Sequence, residues 1–376
     1  MNNQNYNKQL KWALERGLFL DPRVVRKKVG GVYGLYAVDD IPAGSRLIGY
    51  PVKKRIQNFN DSIYPKGTDV VIKNLHASVV EYAKGKNSDY YGHFLQFENI
   101  DELKRYSVFF FGEKEHDLVK SMNSILAQTI KEINDITHYR VNEIAKLEPS
   151  INPEVITVVC LNYSSRAWDD SSFLPILDYA NHSDRLGNTR KIKNNEYVIE
   201  AKGAYKKGEQ IFISYSRKDM YYHATNYNYF DASGVHCIQY GTRLIQNAKT
   251  EQEKAMAEYT ASKFDILVSS HNNIIYYRCK DPEVCFLETA PSLKLIDYIR
   301  TNFLPSLSEW KQKKCNDISL YKRLIGCIDF LLMQNKVDEF ALEDMPESVE
   351  RFYRLLLKEK TMLRKNKEWV IDNFYI

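Results

Sequence analysis

No stretch of this chain is apolar for long enough to cross a bilayer as a helix. The first ten residues, Met1 to Leu10, are polar and lack an apolar signal-peptide core, so a soluble, cytoplasmic protein is expected. Charge of one sign is also scarce: 53 Lys and Arg against 48 Asp and Glu leave a formal net charge of +5. That is too little for a dedicated nucleic-acid-binding domain, although a local basic face can still meet acidic partners. The six cysteines (Cys160, Cys237, Cys279, Cys285, Cys315 and Cys327) form no C-x-x-C pair and no ligand-like spacing with histidine. Reduced core thiols are expected and zinc is not. A G-x-S-x-G nucleophile elbow, a P-loop lysine and an H-E-x-x-H pair are all missing. Gly30-Gly31-Val32-Tyr33-Gly34 is glycine-rich, but its spacing is not G-x-G-x-x-G, and a hairpin follows where a dinucleotide fold needs a helix. There is no internal repeat and no low-complexity tract.

What is present is ordinary in bulk, with 44% hydrophobic and 27% charged residues, apart from 27 tyrosines. At 376 residues the length favours two or three units. Leu10, Ala13 and Leu14 stand at helical spacing ahead of Gly17, so a short amphipathic helix is expected first. Leu35 to Val38 and Arg46 to Tyr50 read as strands around the turn Asp40-Ile41-Pro42-Ala43-Gly44. Short helical pieces follow at Leu75 to Ala83 and Asp101 to Arg105. A longer helical run from His116 to Leu147 carries Leu118, Met122, Ile125, Leu126, Ile130, Ile133 and Ile136. Val155 to Leu161 returns to β-branched residues, and Tyr197 to Ala201 and Gln210 to Tyr215 read as strands around the turn Lys206-Lys207-Gly208-Glu209. Helical stripes are expected at Leu244 to Ser270, Lys294 to Leu304, Leu320 to Met333 and Val349 to Leu363.

The unusual stretch is Phe173-Leu174-Pro175-Ile176-Leu177-Asp178-Tyr179-Ala180-Asn181-His182-Ser183, an apolar run ending in polar groups. Each such group, if buried, needs a partner or costs roughly 1–3 kcal/mol. Either the chain supplies the partners or a polar ligand does. Taken singly, Asn181-His182, Tyr215 and Arg166 each fit a structural role, with Arg166 a surface residue or the partner of a carboxylate such as Asp178.

Their order carries more. A hairpin of the form G-x-x-G-L-x-A-x-x-D-I-x-x-G begins at Gly31, and Ser165-Arg166-Ala167-Trp168 follows. Then come L-P-x-x-D-x-x-N-H-S from Leu174 and Gly208-Glu209-Gln210-Ile211-Phe212-Ile213-Ser214-Tyr215. This series closely resembles the SET-domain protein methyltransferases. Within them it resembles the branch typified by the Rubisco large-subunit methyltransferase, which includes lysine and actin-histidine methyltransferases. The likeness is specific over about 1–50 and 160–230 and architectural beyond 235. It implies an α+β fold with three parts: a β-rich pseudoknotted SET domain from 1–51 and 151–232, a helical insert over 52–150, and an all-α substrate-binding domain over 233–376.

By the same resemblance, Gly31, Tyr33 and Gly34 would hold S-adenosylmethionine by their backbone, with Arg166, Asp178, Asn181, His182 and Tyr229 completing the cofactor site. Tyr215 would be the catalytic tyrosine, and Trp168 and Tyr227 would line the substrate channel. A protein substrate would dock on the C-terminal helical domain of a monomer, with no nucleic acid, membrane or metal involved. The sequence departs from the family pattern at Gly31 and Val32, Ser216, Asp219-Met220 and Tyr227-Asn228-Tyr229. In the histidine-modifying relatives the position two after the motif arginine is an amide. Here it is the aromatic Trp168, which favours lysine as acceptor over histidine. A SET-like scaffold that binds a partner without chemistry is the alternative from another class.

Overall fold

A computed structural model describes residues 3–29, 32–56, 63–166, 173–183, 186–215, 220–227, 238–239, 241–245, 264–269, 274–279, 284–303 and 309–374. The chain packs as two compact units, Met1–Arg105 with Asp135–Ser216, and Tyr106–Asn134 with Arg217–Ile376.

The first unit opens with helix α1 (Asn3–Glu15), closed at Gly17, whose φ of +89° suits glycine. Strands β1 (Phe19–Leu20), β2 (Val24–Val29), β3 (Val32–Ala37) and β4 (Arg46–Pro51) follow. The expected turn after β3 is present: Ser45 N–H donates to the Pro42 carbonyl at 3.2 Å, and Gly44 takes φ +78°. Strands β5 (Arg190–Lys193), β6 (Glu196–Glu200) and β7 (Gln210–Ile211) complete two antiparallel sheets, ordered β1-β4-β6-β5 and β2-β3-β7. Leu35, Leu47, Tyr50, Ile176, Tyr197 and Ile213 fill the core between them.

A second core in this unit gathers α2 (Val70–Ala83), the last turns of α5 (Ser124–Leu147) and α6 (Pro153–Arg166) around Leu75, Val79, Ile144, Val159 and Phe173. His76 ties α2 to the end of α5, with Tyr64 Oη 2.7 Å from its Nδ1 and Glu148 Oε1 2.9 Å from its Nε2. The β-branched run Val155 to Leu161 is helical, not extended. Its start carries the reason: Glu154 N–H donates to Asn152 Oδ1 at 2.8 Å, Pro153 occupies the first turn, and Glu154 sits where the helix dipole favours an acid. Those end signals outweigh the modest helix penalty of valine and isoleucine.

Among the described residues the second unit holds α4 (Glu113–Met122), the first turns of α5, α7 (Met220–Asn226) and three later helices. These are α8 (Leu293–Phe303), α9 (Glu309–Gln334) and α10 (Glu347–Phe374). The helical run expected from His116 to Leu147 breaks at Asn123, whose φ of −160° is extended. Its Nδ2 donates to Tyr221 Oη at 3.0 Å, and Asn335 Nδ2 donates at 2.7 Å to the fully buried Glu359. Met122, Ile125, Leu126 and Ile130 are core residues as the spacing requires, whereas Ile136 is half exposed. Of the stripe expected as helix from Leu244 to Ser270, residues 246–263 and Ser270 lie outside the described residues, and its described ends are extended. Gly241–Ile245, Phe264–Ser269 and Ile274–Cys279 are strands β9, β10 and β11, in the order β10-β11-β9, after β8 (Ile238–Gln239) and before β12 (Cys285–Phe286). Phe264-Asp265-Ile266-Leu267-Val268-Ser269 and Ile274-Ile275-Tyr276-Tyr277 are short, β-branched and aromatic, and strand pairing decides over apolar spacing there.

In the first unit, Phe212 to Ser214 runs between two other segments. Ile213 N–H donates to the Asn181 carbonyl at 3.0 Å, and Ser183 N–H donates to the Ile213 carbonyl at 3.1 Å. On the other side, Asn188 N–H donates to the Phe212 carbonyl and Ser214 N–H to the Asn188 carbonyl, both at 2.9 Å. Gly187 permits this crossing, because a Cβ there would lie 2.2 Å from the Ser183 carbonyl oxygen and 2.6 Å from the Ser214 nitrogen. Both obstacles are backbone. Gly187→Ala is therefore expected to destabilise the protein by about 2–4 kcal/mol in urea unfolding, like other substitutions that force backbone apart. A loss below about 0.5 kcal/mol, the size of an ordinary surface substitution, would contradict the crossing geometry.

Candidate active site

The site is built where the Phe173–Ser183 stretch meets the end of β7. Leu177–Tyr179 forms one 3₁₀ turn, entered through Ile176 at φ +71° and ψ −36°. A β-branched residue at positive φ is a genuine outlier, a strain of order 1–3 kcal/mol that the surroundings must hold. Ile176 is fully buried, and its N–H donates to Gln9 Oε1 of α1 at 3.4 Å. The amide of Gln9 reaches on, with Nε2 donating to the Gly92 carbonyl at 2.8 Å and to Gln96 Oε1 at 3.2 Å. Gln96 Nε2 in turn donates to Asp178 Oδ2. A helix at the N-terminus and a turn of the insert are thereby wired to the polar end of the stretch.

Burial lifts the Asp178 carboxyl to about 7, while the positive charge of Arg166 pulls the other way. Arg166 does not pair with Asp178 directly. Its Nη2 donates to Glu98 Oε2 and its Nε to Asn162 Oδ1, both at 3.1 Å. Asn162 lies one turn earlier on α6 and also grips the Glu98 backbone, accepting from its N–H and donating to its carbonyl at 2.9 Å. The guanidinium is therefore locked, mostly buried, at the C-terminal end of α6.

Asn181 Nδ2 donates to the Tyr33 carbonyl at 2.9 Å, joining the stretch to the start of β3. Gly34 is buried beside it. A Cβ there would stand 3.0 Å from Asn181 Nδ2 and 2.4 Å from Gln210 Nε2, so the position needs glycine for close approach. Gln210 Nε2 is buried without a hydrogen-bond partner among the described residues.

Tyr215 is held from three directions. Its Oη donates to the Ala180 carbonyl at 3.0 Å, its N–H donates to His182 Nδ1 at 3.1 Å, and its ring stacks on the His182 imidazole at 5.1 Å. Because Nδ1 accepts, the proton of a neutral His182 lies on Nε2.

Tyr33, Gly34, Asn181, His182 and Tyr215 are thus brought together, with Asp178 and Arg166 on the same stretch and its neighbouring helix. Gly31, Trp168 and Tyr229 lie outside the described residues. Tyr227 follows α7 in the other unit, its N–H donating to the His223 carbonyl at 3.0 Å. Gln9, Gln96, Glu98, Asn162 and Gln210 were not visible as site residues in the sequence. Only Gln210 lies inside a motif; Asn162 stands one turn before one, and Gln9, Gln96 and Glu98 are partners from distant segments.

The SET-domain family model matches residues 32–216, the span that contains these contacts except those of Gln9 and Tyr227. The chain is a SET-domain protein. Its SET domain carries a helical insert and is followed by a helical C-terminal region. Among solved structures it is similar to the SET domain of LSMT bound to lysine and AdoHcy, with a TM-score of 0.62 and 14% identity. That match covers 98% of this chain and 91% of the other. It is also similar to Rubisco LSMT bound to sinefungin and monomethyllysine, with a TM-score of 0.61, 14% identity and coverage of 98% and 92%. A third is Rubisco LSMT bound to AdoMet, with a TM-score of 0.60, 15% identity and coverage of 98% and 92%. No curated protein sequence matches the chain. Among the described residues no helix is long and apolar enough to cross a membrane.

The raised pKa of Asp178 sets a pH signature for this SET domain. A carboxyl whose folded pKa lies above its ordinary value near 3.8 contributes stability that is fully present below that value and is lost as pH rises toward about 7. Asp178→Asn keeps an acceptor for Gln96 and removes the charge. The melting temperature of the variant relative to the parent should therefore rise between pH 5 and pH 8. A difference that stays constant over that range would show that the carboxyl is not desolvated.

Proposed function

We propose that this SET-domain protein is an S-adenosylmethionine-dependent protein methyltransferase acting on a side-chain nitrogen, with lysine as acceptor. The observation that carries this reading is the threefold restraint of Tyr215 by Ala180 and His182, on the stretch that also presents Asp178 and Asn181.

The residues fit the cofactor. Gln210 Nε2 has no acceptor among the described residues, Gly34 lets it and the Asn181 amide approach the backbone closely, and the carboxyl of Asp178 can compensate a cation. On this reading Gly31, Tyr33, Gly34, Arg166, Asp178, Asn181, His182 and Tyr229 hold S-adenosylmethionine, which supplies an electrophilic methyl on a positive sulfonium. Arg166 is a rigid anchor for an anionic group because Glu98 and Asn162 already fix its guanidinium.

Tyr215 aligns the reaction. Its hydroxyl oxygen can hold the polarised methyl through weak C–H···O contacts, and its orientation is set by the chain before any ligand arrives. Such positioning matters because a near-attack arrangement is worth roughly 7–11 kcal/mol of barrier. A lysine acceptor must also lose its proton. With a free pKa of about 10.4, neutrality at pH 7 costs about 3.4 units, or roughly 4.6 kcal/mol. A narrow channel ending at Tyr215 would desolvate the ammonium and lower that cost. The helical C-terminal region is the surface on which a protein substrate would dock.

Labelled methyl transfer from S-adenosylmethionine into cell lysate, followed by mass spectrometry of the labelled residue, tests this reading. Methyllysine is expected. Methylhistidine would move the assignment to the actin-histidine type. No incorporation, together with no cofactor binding at millimolar concentration in calorimetry, would leave a partner-binding scaffold.

A further inference from the structure

We infer that Arg26 is a positioning residue for the cofactor loop, clamping the start of β3 to the Asp178–His182 segment through a cage of three tyrosine rings. The inference rests on the proposed cofactor site. Arg26 lies on β2, outside every motif in the sequence. In the β2–β3 register Arg26 faces Leu35 and Lys28 faces Tyr33, which puts Arg26 and Tyr33 diagonally on one face of the pair. The guanidinium carbon of Arg26 sits 3.9 Å from the Tyr33 ring centroid and 4.8 Å from that of Tyr179. A third ring, Tyr6 of α1, lies 5.5 Å away and packs edge-on against Tyr179 with centroids 5.2 Å apart.

One cation over one ring is common, roughly once per 70–80 residues, and by itself means little. Here the three rings come from three separate segments, and two of them bear on the site. Tyr33 supplies the carbonyl that accepts from Asn181. Tyr179 stands between Asp178 and Asn181, is buried, and its hydroxyl has no hydrogen-bond partner among the described residues, so ring contacts are what fix it. Lys28 Nζ lies 5.4 Å from Tyr33 as well, so this ring is flanked by two cations on the same strand. The guanidinium therefore spans the same two segments that the Asn181 hydrogen bond joins. Without it, the Tyr33 backbone and the Asn181 amide lose the packing that keeps them in register.

The test compares parent, Arg26→Met and Arg26→Lys. Methionine keeps the length and apolar contact of the side chain without the charge. Lysine keeps the charge without the flat face that meets several rings at once. Calorimetry with S-adenosylmethionine should show about ten-fold weaker binding for Arg26→Met and an intermediate loss for Arg26→Lys, as expected when a multi-ring cation contact is removed. Hydrogen exchange in the free protein should quicken at residues 33–35 and 179–182, with the rest of the unit unchanged. Parent-like cofactor affinity in Arg26→Met overturns the proposal. So does a uniform rise in exchange with equal losses in both variants, which marks a merely structural residue. If the parent itself does not bind S-adenosylmethionine, the proposed function fails. The clamp is then judged by the local exchange alone, quickening at the two segments upholding it and no change refuting it.

Discussion

The SET-domain site depends on one backbone arrangement, the passage of Phe212–Ser214 between Asn181–Ser183 and Asn188. Four main-chain hydrogen bonds hold the crossing, and Gly187 removes the one Cβ that would block it. The crossing sets the path on which Tyr215 meets His182 and Ala180, because the tyrosine is two residues past Ile213 and the histidine directly follows Asn181. A buried crossing satisfied by backbone bonds is stiff, since each unmade bond would cost roughly 1–3 kcal/mol. The site inherits that stiffness.

The polar groups around it are organised by burial. Asp178 is pushed toward its neutral form, accepts from Gln96, and feels but does not contact the guanidinium of Arg166, which Glu98 already neutralises. The strained turn at Ile176 is held by Gln9 of α1. These partners belong to the N-terminal helix and to the insert, so both act as supports for the site. A site whose polar groups already sit on such supports meets its ligand with little reorganisation, the arrangement that favours catalysis by alignment.

The motif residues were legible from the sequence because they are local in it. Asn181 and His182 end one apolar run and Tyr215 ends another, and the order of the runs carried the resemblance. Their partners were not legible. Gln9 and Ile176 are 167 residues apart, Gln96 and Asp178 are 82 apart, and Arg166 and Glu98 are 68 apart. No periodicity links such pairs. The helix at Pro153–Arg166 carries start signals at Asn152, Pro153 and Glu154, but its β-branched interior points to a strand. At Phe264–Ser269 the opposite holds, since apolar residues at helical spacing point to a helix where a β-branched and aromatic composition forms a strand.

The central claim is that the restrained tyrosine aligns a methyl transfer. The most direct measurement is transfer of labelled methyl into lysate protein by the parent and by Tyr215→Phe, with S-adenosylmethionine affinity measured alongside. Removing the hydroxyl should leave cofactor affinity within about two-fold and slow transfer by about 100-fold, the size expected when reacting groups are misplaced by about 1 Å. Transfer by Tyr215→Phe at the parent rate would contradict the account.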